Sequence, residues 1–156
     1  LDDLQPDRLS IVSVPALEKV HRYLVRPGDV LMASRGSLGK IAVVPEGLEN
    51  CLISANLIAV RLTGELLPEL LATYLRSAAG QHALEQVARS GGIRSFITVR
   101  DLAKLPVPVP PLDRQADLAE FVRLADHHYR LAIQSAELRR KLAHRLVIKQ
   151  LLGGEL

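Results

Sequence analysis

The sequence predicts an α+β protein: a small mixed or antiparallel sheet domain with flanking helices, followed by one long coiled-coil-forming helix. Three observations carry that expectation. Residues 1–62 read as short strands and turns, with apolar runs punctuated by glycine and proline. Helical periodicity takes over after Gly64. From Leu112 the chain then runs for roughly forty residues without proline or glycine, with leucines at heptad spacing.

The elements follow in order. In YLVRPGDVLMAS, Pro27 and Gly28 suit the two central positions of a type II turn, because proline presets φ and glycine accepts the positive φ. Val30 to Ala33 form a short buried strand. SRGSLGK is a loop, and IAVV (41–44) is a second strand ended by the Pro45-Glu46-Gly47 turn. Residues 51–62 supply a third strand region, interrupted near Asn56. LLPELLATYLRSAAGQHALEQVAR is helical, with Pro68 in the first turn and an apolar stripe of Leu67, Leu70, Leu71, Tyr74 and Leu75. Gly80 divides this stretch into two pieces. SGGIRSF is a turn or loop. FITVRDLAKL opens with a short strand, and Thr98 with Asp101 forms a capping box for a short helix over 99–104.

LPVPVPP (105–111) is extended, because proline fixes φ and pushes its predecessor out of the helical region. It separates a domain at 1–111 from a helix at 112–156. Asp113 is the expected N-cap, Leu112 the expected docking residue, and Gly153-Gly154 the stop. Arg139, Arg140, Lys141, Arg145 and Lys149 suit the negative end of the helix dipole and a solvated basic face, their commoner role; contact with DNA or an acidic partner subunit is the alternative. Phe121, Leu124, His128, Leu131, Leu138 and Leu142 form the helix-pairing seam. A seam of this length needs a partner helix, from another chain, as in a homodimer, or from a missing part of this one.

Composition narrows the chemistry. The 156 residues are 48% apolar, sufficient for a real core, and carry a net charge of +3. No apolar run reaches the roughly 18 residues that span a bilayer, no signal-peptide pattern is present, and a cytoplasmic location fits best. LDDLQPDRL, with no initiator methionine, reads as the start of a fragment or a processed chain. The lone Cys51 excludes an internal disulfide and a cysteine-rich zinc site. His127 and His128 are adjacent on a helix and face different ways, so no metal site is expected. GSLGK lacks the phosphate-loop spacing and precedes a strand where a phosphate loop needs a helix. There is no catalytic constellation, and no cofactor is expected for this chain. Five aromatic residues without tryptophan argue against stacking of single-stranded bases. Duplex recognition by polar loops stays open.

Two loops fit that role: Ser34 to Lys40, and Arg89 to Ser95. Glycine lets backbone approach a ligand, serine and N–H groups bind phosphate oxygens, and arginine reads guanine. On composition alone an ordinary surface loop is the commoner meaning of each. The candidate DNA-contacting residues are Arg35, Ser37, Lys40, Arg89, Ser90, Arg94, Ser95 and Arg100.

The succession RPGDVLMASRGSLGKIAVV, ISANLIAVRL, LLATYLRS, SGGIRSFITVRDLAKLPVPVPPLDRQADLAEFV resembles the specificity subunits of type I restriction–modification systems. Its most specific part is the ending, Leu105 to Leu112 with Gln115, which in that family closes a target recognition domain and opens a helical spacer. Gly28-Asp29-Val30-Leu31 and Gly36 to Lys40 match as well. The resemblance implies a non-catalytic, double-stranded-DNA-reading subunit that recognises a bipartite site. It implies partnership with an adenine-N6 methyltransferase subunit and a restriction/translocase subunit, which use S-adenosylmethionine, ATP and Mg. One recognition domain and one spacer helix depart from the full pattern, as does the missing opening of the domain. A C-terminal fragment, a natural half-subunit or a relative with altered function would each account for that. The alternative is a coiled-coil scaffold that dimerises and no longer binds DNA.

Overall fold

In a computed structural model, the structure describes Leu9 and residues 20–36, 38–48, 51–91 and 94–153. Three strands, β1 (Val30–Ala33), β2 (Ile41–Val43) and β3 (Leu57–Val60), form an antiparallel sheet in the order β2-β1-β3. Val30 sits between Val43 and Val60, and Met32 between Ile41 and Ile58. All four residues of β1 are buried, because both faces of the sheet are covered. Val30, Met32, Ile41 and Ile58 face a larger core with helices behind it. Leu31 faces a smaller cluster with Val25, Val44 and Leu48. A central strand flanked on both faces needs apolar residues throughout, and VLMA provides them.

The turn before β1 is as the sequence predicts. The Asp29 N–H donates to the Arg26 carbonyl at 3.0 Å, and Gly28 takes φ 83°. The Asp29 side chain does more. It is 1% exposed, and it accepts from the Arg26 N–H at 2.8 Å, from Arg61 Nε at 2.8 Å and from Arg61 Nη2 at 2.6 Å. Burial pushes its carboxyl up. The hydrogen bonds from Arg61 and the Arg26 backbone, with the guanidinium charge, outweigh that and hold it below the usual carboxylate value. The forked pair ties the entry of β1 to the exit of β3.

Helices α1 (Pro68–Arg76) and α2 (Ala78–Val87) pack behind the sheet with Leu71, Ala72, Leu75 and Leu84 inward. Pro68 occupies the first turn of α1, where its missing N–H costs nothing. The break between the two helices falls at Ser77 rather than Gly80. Ser77 is extended at ψ 160°, and its hydroxyl accepts from the Gly80 N–H at 3.1 Å to cap α2. Gly80 lies inside α2, where a Cβ would collide with the Tyr74 carbonyl. Its glycine serves close helix approach, which leaves the same trace in a sequence as a helix break.

The segment expected as a turn or loop is a hairpin, β4 (Arg89–Gly91) against β5 (Arg94–Phe96). The strand expected to begin at Phe96 ends there instead. Helix α3 (Val99–Leu102) carries the capping box: Thr98 Oγ1 accepts from the Asp101 N–H at 3.2 Å, and the Asp101 carboxylate accepts from the Thr98 N–H at 3.3 Å. Leu105 to Pro111 is free of regular structure, and the Tyr74 hydroxyl donates to the Pro106 carbonyl at 3.0 Å.

Helix α4 spans Leu112–Leu151, about 60 Å at the usual rise. Its start corrects two expectations. Asp113 is not the N-cap: the helix already begins at Leu112, and the Pro111 carbonyl accepts from the Arg114 N–H at 3.0 Å. Leu112 does not dock, being 71% exposed. Gln115 docks in its place, at 2% exposure. Its Oε1 accepts from the Leu67 N–H at 3.0 Å, and its Nε2 donates to the Glu65 carbonyl at 2.8 Å and the Pro110 carbonyl at 2.9 Å. Ala119, one turn on, is fully buried. The compact domain runs through Ala119, and a second unit begins at Glu120. In that second unit Phe121, Leu124, Leu131, Leu138 and Leu142 are exposed, as is His128. Glu120 and Arg123 form a surface ion pair at 2.7 Å. Gly153, at φ 74°, closes the helix. No described helix is long and apolar enough to cross a membrane.

Candidate nucleic-acid interface

The first candidate loop joins β1 to β2. Its feet are closed by the Ala33 N–H donating to the Lys40 carbonyl at 3.1 Å. Leu38, 7% exposed, is rooted in the larger core. Arg76 reaches from α1 and donates to the Ile41 carbonyl through Nε at 3.2 Å and Nη2 at 2.8 Å. Gly39 lies close against α2, where an added Cβ would sit 3.1 Å from Gln81 Oε1. Gln81 itself donates to the Leu75 carbonyl at 2.6 Å. The loop is therefore clamped at its base, while Arg35 and Lys40 remain exposed.

The second candidate segment is brought directly alongside the first. The Ile97 N–H donates to the Ser34 carbonyl at 3.0 Å, and Arg35 forms an antiparallel bridge with Phe96. Phe96 is also the partner of Arg89 across the hairpin, followed by Ser90 with Ser95 and Gly91 with Arg94. The two loops thus form one ribbon whose residue rows run from Arg35 through Phe96 to Arg89. Ser34 and Ile97 are buried on either side of that row, at 9% and 3% exposure. Side chains alternate along a strand, so the inward anchors and the outward row follow from one pleat. The backbone of Arg89, Ser90, Arg94 and Ser95 is described, and their side chains lie outside what the structure describes, as does Ser37 altogether. Arg100 is exposed on α3, within the turn that the capping box closes.

Among the described residues, no group of three His, Cys, Asp or Glu side chains could hold a metal ion. A pocket behind β3 is lined by Val60, Leu66, Leu71, Leu75, Leu102 and Leu105 among others, with Thr63 and Glu65 its only polar lining among the described residues. The exposed Arg35 and Lys40 have the donors for phosphates and base edges.

The family model of the type I restriction modification DNA specificity domain matches residues 4–134. The chain belongs to that family. Its fold resembles the crystal structure of the HsdS subunit from Thermoanaerobacter tengcongensis, with TM-score 0.57 and 26% identity over 83% of this chain. The chain spans about a third of that subunit, 32% of its length. No curated protein matches it in sequence.

Within this specificity domain, several residues escaped the sequence reading. Phe96 was passed over because the segment around it read as a loop. The repetition of Arg-Ser on both sides of Gly91-Gly92 is the local signal of a hairpin. Arg76 and Gln81 support the first loop from helices more than thirty residues away in sequence, and nothing local marks them.

Proposed function

We propose that this specificity domain reads duplex DNA and, as a specificity subunit or half-subunit, directs an adenine-N6 methyltransferase subunit and a restriction/translocase subunit to a bipartite site. The observation that carries the proposal is the ribbon, in which two cationic loops far apart in sequence are joined by the Arg35–Phe96 bridge. Arg35, Ser37, Lys40, Arg89, Ser90, Arg94, Ser95 and Arg100 are its DNA-contacting residues. The chain does no chemistry of its own; S-adenosylmethionine, ATP and Mg belong to its partner subunits. A cytoplasmic location, with the DNA, goes with this role.

The exposed leucines of α4 support pairing with the same helix of a second copy. Leu138 at 66% and Leu142 at 59% exposure, with Phe121 at 72%, leave apolar area that a coiled-coil partner would cover. A two-fold dimer of this kind reads a symmetric site, each half bound by one domain.

Binding to a duplex is tested by salt titration. The wild type shows a steep fall in affinity with salt, and the double variant Arg35→Ala, Arg94→Ala lowers the slope by about 2, one for each lost phosphate contact. Absence of duplex binding at low salt, with or without the methyltransferase subunit, would leave the dimerising scaffold as the function.

A further inference from the structure

The outward row of the ribbon contains an aromatic ring where charge alone would serve to hold phosphate. Phe96 is 36% exposed, whereas Ile97 beside it is 3% exposed. The backbone places Phe96 opposite Arg35 on one side and opposite Arg89 on the other. Residues directly opposed across antiparallel strands share a face, and residues two apart along a strand share it too. Arg35, Phe96, Arg89 and Arg94 therefore hold register positions on one face. The chain has five aromatic residues in all, and this one is exposed, with its backbone paired in register with Arg35 and Arg89.

That arrangement suits the major groove. The groove is about 12 Å wide and admits a two-stranded ribbon. Its floor has one apolar feature, the C5 methyl group of thymine. Flanking arginines hold the ribbon against phosphate oxygens or guanine edges, and an apolar ring between them meets the methyl group, releasing water from both. We propose that Phe96 is a specificity-determining residue of this domain, contacting a thymine methyl in the major groove. The proposal rests on the reading above that the domain binds duplex DNA.

The test uses the full chain, alone and with a methyltransferase subunit, to select a consensus from a randomised duplex library. Wild type and Phe96→Ala are then titrated with the selected duplex and with versions in which each thymine in turn is replaced by deoxyuridine, which removes only the methyl group. One replacement weakens the wild type roughly fivefold, the worth of a buried methyl group. Phe96→Ala binds that pair of duplexes equally, with an unchanged salt slope. Where Phe96→Ala does not fold, Phe96→Leu carries the comparison, because it keeps aliphatic fill in the ribbon and shrinks the discrimination. A consensus in which no replacement weakens the wild type overturns the proposal, as does a Phe96→Ala variant that discriminates as the wild type does; DNA reading survives both results. A wild type that selects no duplex in either setting overturns the DNA reading as well.

Discussion

Asp29 shows how much of a site can hinge on one carboxylate that local sequence barely marks. Gly28-Asp29 is legible as the end of a turn, because proline and glycine advertise the backbone. Its partner Arg61 is 32 residues away, and only the sheet brings them together. The folded carboxyl titrates below its ordinary value despite burial, so the unfolded chain binds more protons and stability rises with pH through this group. Its contribution is fully present above about pH 4 and is lost as the pH falls through the lowered folded value. Asp29→Asn is expected to cost about 1–2 kcal/mol at neutral pH, since Arg61 keeps access to water. In urea melts across an acid series, the gap between wild type and variant should close toward low pH. A gap independent of pH would assign the cost to packing instead.

At the level of elements, most of the fold was legible because strands and helices announce their periods locally. VLMA, IAV and LIAV are strands, Thr98 and Asp101 cap a helix, and the proline-rich stretch from 106 to 111 stays out of regular structure. The failures occur where one residue type serves two purposes. Gly80 reads as a breaker, yet it sits inside α2 because the preceding helix end presses on it. Gly80→Ala is therefore expected to destabilise by about 2 kcal/mol, through displacement of α2 from the Tyr74 carbonyl, although alanine is the better helix former. Differential scanning calorimetry would register this as a lowered Tm, and an unchanged or raised Tm would mean that the two helices have room to spare. The start of α4 is a similar case. Leu112 is apolar and first in line, but a polar residue one turn later does the docking, because the carbonyls of Glu65 and Pro110 and the N–H of Leu67 need a partner. Sequence patterns record apolar faces well and record unmet backbone groups hardly at all.

At the scale of the whole molecule, the chain combines a compact unit to Ala119 with a second unit from Glu120. The heptad leucines of the second unit are exposed, and the proposed helix pairing would cover them. Leu131, 48% exposed, lies mid-seam. Leu131→Asp is expected to weaken self-association by on the order of a hundredfold, because a carboxylate would be buried against the partner helix. Sedimentation equilibrium measures this directly, and a wild type that remains monomeric at high concentration would exclude the seam. Helical melting of the compact unit should be unaffected. The basic residues near the helix end are all exposed, and of them Lys149 lies in the last turn, where the dipole acts.

The joint between the two loops has a consequence for the specificity proposed for them. The Ser34–Ile97 bond is made by main-chain atoms and the Arg35–Phe96 bridge is a backbone pairing, so neither depends on which side chains occupy positions 35 and 96. Two buried anchors, Leu38 in the first loop and Ile97 beside Phe96, hold the frame. Positions 35, 89, 94 and 96 can therefore be exchanged without dismantling the surface that presents them. The ribbon behaves as a socket with interchangeable contacts, and a library randomised at those four positions would sample target preferences at little risk to the fold.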